Sequence, residues 1–433
     1  QRSLPFNAQR TVNLFPVMDQ QGKEIVALYR RPGLTSFSTA GSGPIRGGFG
    51  STKDRVFFVS GSSLYEVDSS GVSTSRGTLL TSTGNVYFDE NPTQLFICDG
   101  TYGYIFTYAT NVLARITDAD FPSAGSVTFS NSYFIVSENS TGKFHISAVS
   151  DGTSWASEYA TAESSPDILR RVIRALGALW LLGASSFEIW TATSDAVFPF
   201  QRVNGSEKPI GIMAPATAIE FMDSLFWVAE TKDGSNFVVR TSSFSPEVIS
   251  TEAIDYAISK ATDKENMKAI AYQKEGHGFY ILTGGGLETS LVYDTKTKEW
   301  HEQAYLNLSG SYETHLASSI VFAFDKHLVG DRRNGNIYYL DEEADDSGTD
   351  VTWERVFTHI TDEGKLLRFK KLIVGVEPGV GSEAGSDPYV YLRVSKDFGK
   401  TWSNSHGAPI GKIGEYDKSV AFTRLGISSQ ITF

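Results

Sequence analysis

Apolar and polar positions follow a recurring plan along the 433 residues. An apolar, aromatic-rich run is followed by a short polar or glycine-containing turn and then by a second run rich in aromatic and β-branched residues. The plan appears as RVFFVSGSSLYEVD at 55–68, QLFICDGTYGYIF at 94–106, YFIVSENSTGKFHISAV at 133–149 and LGALWLLGASSFEIWTA at 176–192. It continues as SLFWVAETKDGSNFVVRTSS at 224–243, GFYILTGGGLETSLVYD at 278–294 and HLVGDRRNGNIYYLD at 327–341. Each reads as a β-hairpin. Successive starts lie 39, 39, 43, 48, 54 and 49 residues apart, close to the roughly 40–50 residues of a four-stranded propeller blade. One small twisted sheet cannot cover both of its faces, whereas sheets arranged radially cover one another and hide most edges. The spacing therefore predicts an all-β chain built on a β-propeller rather than a generic array of sandwiches. Seven hairpins give seven blades, or six if one belongs to a neighbouring module.

Other segments break the plan. SSPDILRRVIRALG at 164–177 and DKENMKAIAY at 263–272 are candidates for short helices connecting blades. DEEADDSGTD at 341–350 is acidic and reads as a solvated linker. Beyond it TWERVFTHI, LLRFKKLIVGVE, YVYLRVSKDFGKTW and SVAFTRLGISSQITF read as strands of a separate β-sandwich-like module, with an exposed loop at 377–388. The predicted organisation is an N-terminal arm over 1–35, a propeller over 36–345 and a C-terminal β module over 346–433.

Composition sharpens this reading. Forty glycines against four methionines, with 12% aromatic and 20% charged residues, describe a turn-rich globular β protein. The formal charge of −12 is opposite in sign to that of a chain that binds nucleic acid by neutralising phosphates. The basic runs LRRVIR at 169–174 and LLRFKK at 366–371 are short and interleaved with apolar residues, which suits structural or interface roles better than a DNA groove. Cys98 is the only cysteine, so an intrachain disulfide and a cysteine zinc cluster are both excluded. The longest apolar stretch, ALGALWLLGA at 175–184, is too short to span a bilayer, and no membrane insertion is expected.

The candidate chemistry is sparse. SKDFGKTW at 395–402 has the Ser-x-Asp-x-Gly-x-Thr-Trp spacing and resembles the Asp-box of sialidases and other propeller proteins. The Asp397 carboxylate can accept backbone N–H bonds, Gly399 permits a tight path and Trp402 packs underneath. Ser395, Asp397, Gly399, Thr401 and Trp402 are thus assigned to a structural turn. A sialidase would also need an arginine cluster and a Tyr–Glu pair. Glu342, Glu343, Asp345 and Asp346 lack the alternating spacing of a calcium loop. The seven histidines contain no HExxH pair, and His277 and His301 flank strong strands, where packing is the expected role. No Gly-x-Ser-x-Gly elbow, Rossmann fingerprint or P-loop occurs. No catalytic residue, metal or cofactor is predicted.

A resemblance carries the reading further. ATAESSPDILRRV (160–172), LWLLGASSFEIW…FPFQRV (179–203), EVISTEAID (247–255), YQKEGHGFYILT (272–283) and LVYDTKTKEWHE (291–302) stand in a fixed order. With the opening VNLFPV…RRPGL and IRGGF and the late YDKSVAFTRLG, they resemble the packaged-DNA stabilisation, or tail hub (nozzle), family of P22-like short-tailed phages over roughly residues 11–430. The resemblance implies a virion tail component assembled in the host cytoplasm as a homohexameric ring below the portal and head–tail adaptor. Such a ring continues the DNA channel, helps retain packaged DNA, and carries tailspikes or fibres and a tail needle or plug. Double-stranded DNA would pass without tight binding, and an acidic or neutral lumen suits that passage. Members often end in a longer basic tail after the RLG segment, whereas this chain ends at Phe433. The alternative from a different class is a propeller that binds or cleaves carbohydrate.

Overall fold

The structure is a computed structural model, and it describes residues 10–18, 26–162, 167–195, 197–342, 344–379 and 388–433. The chain forms two compact units, one of residues 15–352 and one of residues 1–14 with 353–433.

The larger unit is a propeller. Among the described residues it holds seven antiparallel sheets of at least four strands, and every hairpin read from the sequence supplies the second and third strands of one of them. The first blade runs Ile45–Gly50, Val56–Ser60, Ser63–Val67 and Ser73–Thr78, from the axis outward. Later blades repeat this order, with innermost strands Tyr87–Glu90, Ala124–Ser130, Leu169–Ala175, Gly211–Ile212, Met267–Lys274 and Ala317–Ala323. The ring closes where Ala317–Ala323 packs against Ile45–Gly50, with Ser318 Oγ donating to the Ile45 carbonyl at 2.8 Å.

The second strand of each blade is buried on both faces, because alternate side chains enter different inter-blade cores. In the second blade Leu95 and Ile97 join Phe57 and Val59 of the first, while Phe96 and Cys98 join Phe134 and Trp155 of the third. In the fourth, Leu179 and Leu181 meet Ile135 and Phe144, while Trp180 and Leu182 meet Trp227 of the fifth. A strand covered on both sides reads as a continuous apolar run, and this is why the hairpins stand out in the sequence.

The seventh blade joins the two ends of this unit. Its inner three strands are Ala317–Ala323, Lys326–Asp331 and Asn336–Asp341, and its outermost strand is Gly33–Thr39, antiparallel to Asn336–Asp341 from Gly33↔Asp341 to Thr39↔Asn336. Residues 1–35 are therefore divided: Arg10–Val12 pairs with Glu354–Val356 in the smaller unit, and Gly33 begins a blade strand. Residues 1–9 and 19–25 lie outside the described residues.

Both helices expected between blades are corrected. Leu169–Ala175 and Met267–Lys274 are innermost strands, the latter preceded by a 3-10 turn at Lys264–Asn266, because inter-blade burial overrides local helix propensity. Residues 163–166 of the first candidate lie outside the described residues. The α-helix among the described residues is Glu252–Lys260, which buries Ile254 and Ile258 against the core between the fifth and sixth blades.

In the smaller unit Leu367–Val374 pairs with Val420–Ser428, Tyr389–Leu392 with His406–Pro409, and Ile360–Thr361 with Gln430–Ile431. Its core gathers Leu392, Val420, Phe422, Ile431 and Phe433, with Phe369, Leu372 and Val374 against them. Most of the loop predicted at 377–388 falls on residues 380–387, outside the described residues.

Candidate functional site

The five residues singled out at 395–402 form one hydrogen-bonded turn in the smaller unit. Ser395 is fixed by a reciprocal backbone pair with Thr432, 2.9 Å each way. Its Oγ donates to Asp397 Oδ1 at 2.7 Å and accepts from the Gly399 amide at 2.8 Å. Thr401 donates from its amide to Asp397 Oδ1 at 2.9 Å and from its hydroxyl to Oδ2 at 2.6 Å. These donors, the Thr401 hydroxyl foremost, draw the Asp397 carboxyl down to about 2. Gly399 sits at φ 79°, a left-handed conformation that costs a glycine little. Trp402 is half-buried, with the Arg393 guanidinium 5.8 Å from its ring. Both Asp397 oxygens accept bonds from the turn itself, so the geometry explains each residue type without a substrate.

A second constellation was not legible in the sequence. Arg31 and Asp346, 315 positions apart, form a buried ion pair, each side chain 2% exposed. Arg31 Nη1 donates to Asp346 Oδ1 at 2.9 Å and Nη2 donates to Asp346 Oδ2. The guanidinium also donates to the carbonyls of Pro32 at 2.8 Å and Ala304 at 3.1 Å. Around it Leu34 N donates to Asp345 O at 2.8 Å and Ser347 N to Leu34 O at 2.9 Å. Gly33 permits this approach, since a Cβ there would stand 2.0 Å from the Ala344 carbonyl oxygen. The segment read as a solvated linker is thus corrected at Asp346: its carboxylate is a buried counter-ion at the point where the ring closes. Glu343 lies outside the described residues, and Glu342 pairs with Lys274 at 3.2 Å. The Arg-Pro-Gly triplet at 31–33 was the available signal, but nothing in it names a partner.

His277, His301 and His315 are buried in the propeller. His277 Nδ1 lies 2.7 Å from Asp294 Oδ2, which also accepts from Thr297 Oγ1 at 2.9 Å. The His277 ring stacks on Phe279 with centroids 5.9 Å apart. His301 and His315 are buried, and burial pushes their imidazoles down to about 4 and about 3. The LRRVIR run is spent inside the propeller: Arg170 reaches Glu230 at 3.0 Å and the carbonyls of Ile212 and Met213, and the Arg171 guanidinium lies over Tyr87 at 4.0 Å. A small cavity between the sixth and seventh blades is lined by Ile270, Tyr272, Ile281, Gln303 and His315 and has no carboxylate in its wall. Among the described residues no three His, Cys, Asp or Glu side chains gather as metal ligands.

The two units match two halves of one family. Residues 1–345 match a family model described as Bacteriophage P22 Gp10, beta-propeller, and residues 352–433 match one described as Bacteriophage P22 Gp10, beta-sandwich. Solved structures similar to this chain include the WD40 domain of Neurospora crassa Pan2, at 9% identity and TM-score 0.47, covering 73% of this chain and 98% of that one. The WD40 propeller of Doa1 matches at 12% identity and TM-score 0.43, covering 71% and 97%. The computationally designed Ika8 protein matches at 11% identity and TM-score 0.39, covering 71% and 99%. No curated protein matches the chain.

Proposed function

The chain belongs to the bacteriophage P22 Gp10 family, whose members are structural proteins of the phage tail, and from that premise we propose that its copies form a homohexameric ring below the portal and head–tail adaptor. In this reading the ring continues the DNA channel, helps retain packaged DNA and anchors tail appendages, whether tailspikes or fibres, and a needle or plug. Assembly takes place in the host cytoplasm. The observation that carries the proposal is that both units match the same family, propeller and sandwich alike.

The physical chemistry is consistent with that role. Seven blades closed by a strand from the other end of the unit make a stiff block, suited to a mechanical part. Residues 15–352 carry 41 Asp and Glu against 25 Lys and Arg, so a wall built from them repels a duplex rather than holding it. The role is structural rather than catalytic. The carbohydrate alternative gains nothing from the Asp397 turn, whose carboxylate is committed to its own loop.

Imaging of particles with and without this chain tests the reading. A six-fold ring around a central opening, present only in complete particles, together with genome loss when it is missing, is the expected result. Unaltered tail density and full genome retention in its absence would refute it. A lumen lined by Arg and Lys would remove the repulsion argument alone.

A further inference from the structure

The run LLRFKK, set aside above as a DNA groove, forms an unusual surface on the smaller unit. In the Leu367–Val374/Val420–Ser428 pair, Phe369 opposite Gly426, Leu372 opposite Phe422 and Val374 opposite Val420 face the sandwich core. The opposite face carries Arg368 across from Ile427, Lys371 across from Thr423 and Ile373 across from Ala421. A register shift between Phe369 and Lys371 adds Lys370 and Arg424, both exposed. Ile373 and Ile427 are 60% and 57% exposed in the midst of these cations.

None of the four cations has an ion-pair partner among the described residues, and several acids of the same unit are engaged elsewhere. Glu354 pairs with Arg10 and Arg393, Asp362 and Glu363 with Lys365, and Glu415 with Lys418. Asp397 is held in its own turn. The charge balance of the two parts is opposite in sign: residues 353–433 carry eleven Lys and Arg against nine Asp and Glu, while residues 15–352 carry an excess of acids.

We propose that this outward sheet face docks on the acidic propeller of a second copy of the chain. The inference rests on the ring reading above and names one contact that would build it. Complementary fields draw the two surfaces together and fix their register, and the exposed isoleucines supply the apolar centre that a protein interface has and a phosphate backbone does not. Every copy carries both halves of the contact, so a head-to-tail arrangement that closes into a ring satisfies each face once.

The test mixes full-length chains of light and heavy nitrogen isotope at high concentration and joins amines to carboxylates with a zero-length carbodiimide. Mixed-isotope peptides linking Lys370 or Lys371 to Asp or Glu within 15–352 are expected. They should fall at least about tenfold in molar salt, where the Debye length is about 3 Å, and in the Arg368→Glu/Arg424→Glu chain, which reverses two charges of the face and keeps both reporting amines. The uncharged Arg368→Gln/Arg424→Gln chain should fall between, and circular dichroism of each variant should match the parent because these side chains are exposed. Absence of mixed links, links insensitive to the substitutions, or links confined to residues 353–433 of both copies each overturn the proposal. Loss of duplex-DNA binding in the charge-reversed chain, with mixed links unaltered, assigns the face to nucleic acid and also overturns it. A six-fold ring seen in particles despite such a result leaves the ring reading intact and gives the contact to another face.

Discussion

The Arg31–Asp346 pair shows how strongly one residue depends on its partner once both leave water. A buried guanidinium and carboxylate, each 2% exposed, gain from one another only while both are present. Replacing Asp346 with Ala takes the buried carboxylate from the Arg31 guanidinium and leaves it against the carbonyls of Pro32 and Ala304. We expect the propeller to lose about 3–5 kcal/mol in denaturant titration, and the paired Arg31→Met/Asp346→Leu chain to recover most of it. A single-variant loss below about 1 kcal/mol would show the pair to be solvated. His301 and His315 make the reverse case. Both are held neutral, with native values near 4 and 3 against an ordinary 6.5. The unfolded chain thus binds more protons than the native one between pH 6.5 and those values. Stability is intact above pH 6.5 and declines as the pH falls through this window, by roughly 2 kcal/mol per residue at pH 5. Urea midpoints from pH 8 to pH 5 should show the decline, and His301→Phe, which fills the same site beside Phe279, should remove about half of it, leaving the share of His315.

At the level of elements, legibility followed burial. The seven hairpins were readable because their strands are covered on both faces, so Val56–Ser60 and Ala178–Gly183 are nearly unbroken apolar runs. Outer strands were not, since Ser73–Thr78 is largely polar and half-exposed and carries no period. The inner strands Leu169–Ala175 and Met267–Lys274 were mistaken for helices because arginines, lysines and alanines suit a helix locally, and only the neighbouring blades make them strands. The partnership of Gly33–Thr39 with Asn336–Asp341 was invisible for a different reason: edge pairing across some 300 residues leaves no trace in local pattern. The Asp397 turn was legible because its bonds span four residues. It also makes a separable prediction. Asp397→Ala removes acceptors for Thr401 and Ser395, so melting of the smaller unit, followed by hydrogen exchange at Val420–Ser428, should move to lower temperature while exchange at Val56–Ser60 does not change. Equal shifts in both would mean that the turn is not a local device.

Closure governs the whole propeller. Six inter-blade cores can form from sequential neighbours, but the seventh, which joins Leu328 and Ile337 to Val56 and Phe58, requires the two ends of the unit to meet. The strand Gly33–Thr39 and the Arg31–Asp346 pair hold those two ends together. Bringing such distant segments together carries a loop-closure entropy that local blade formation does not, and contacts of this range form late in folding. The closure pair should therefore be absent from the rate-limiting transition state, and its loss should appear in the unfolding rate. For Asp346→Ala, a destabilisation of about 3–5 kcal/mol placed wholly on that limb speeds unfolding by about 10²- to 10³-fold or more. Refolding should change by less than about twofold. Stopped-flow tryptophan fluorescence can follow both limbs, since Trp180 and Trp227 lie fully buried between the fourth and fifth blades, away from the closure. If refolding slows as much as unfolding accelerates, the ends meet early and the blades assemble around them. The fast-unfolding outcome makes the pair a kinetic clasp, holding shut a ring whose blades already stand in place.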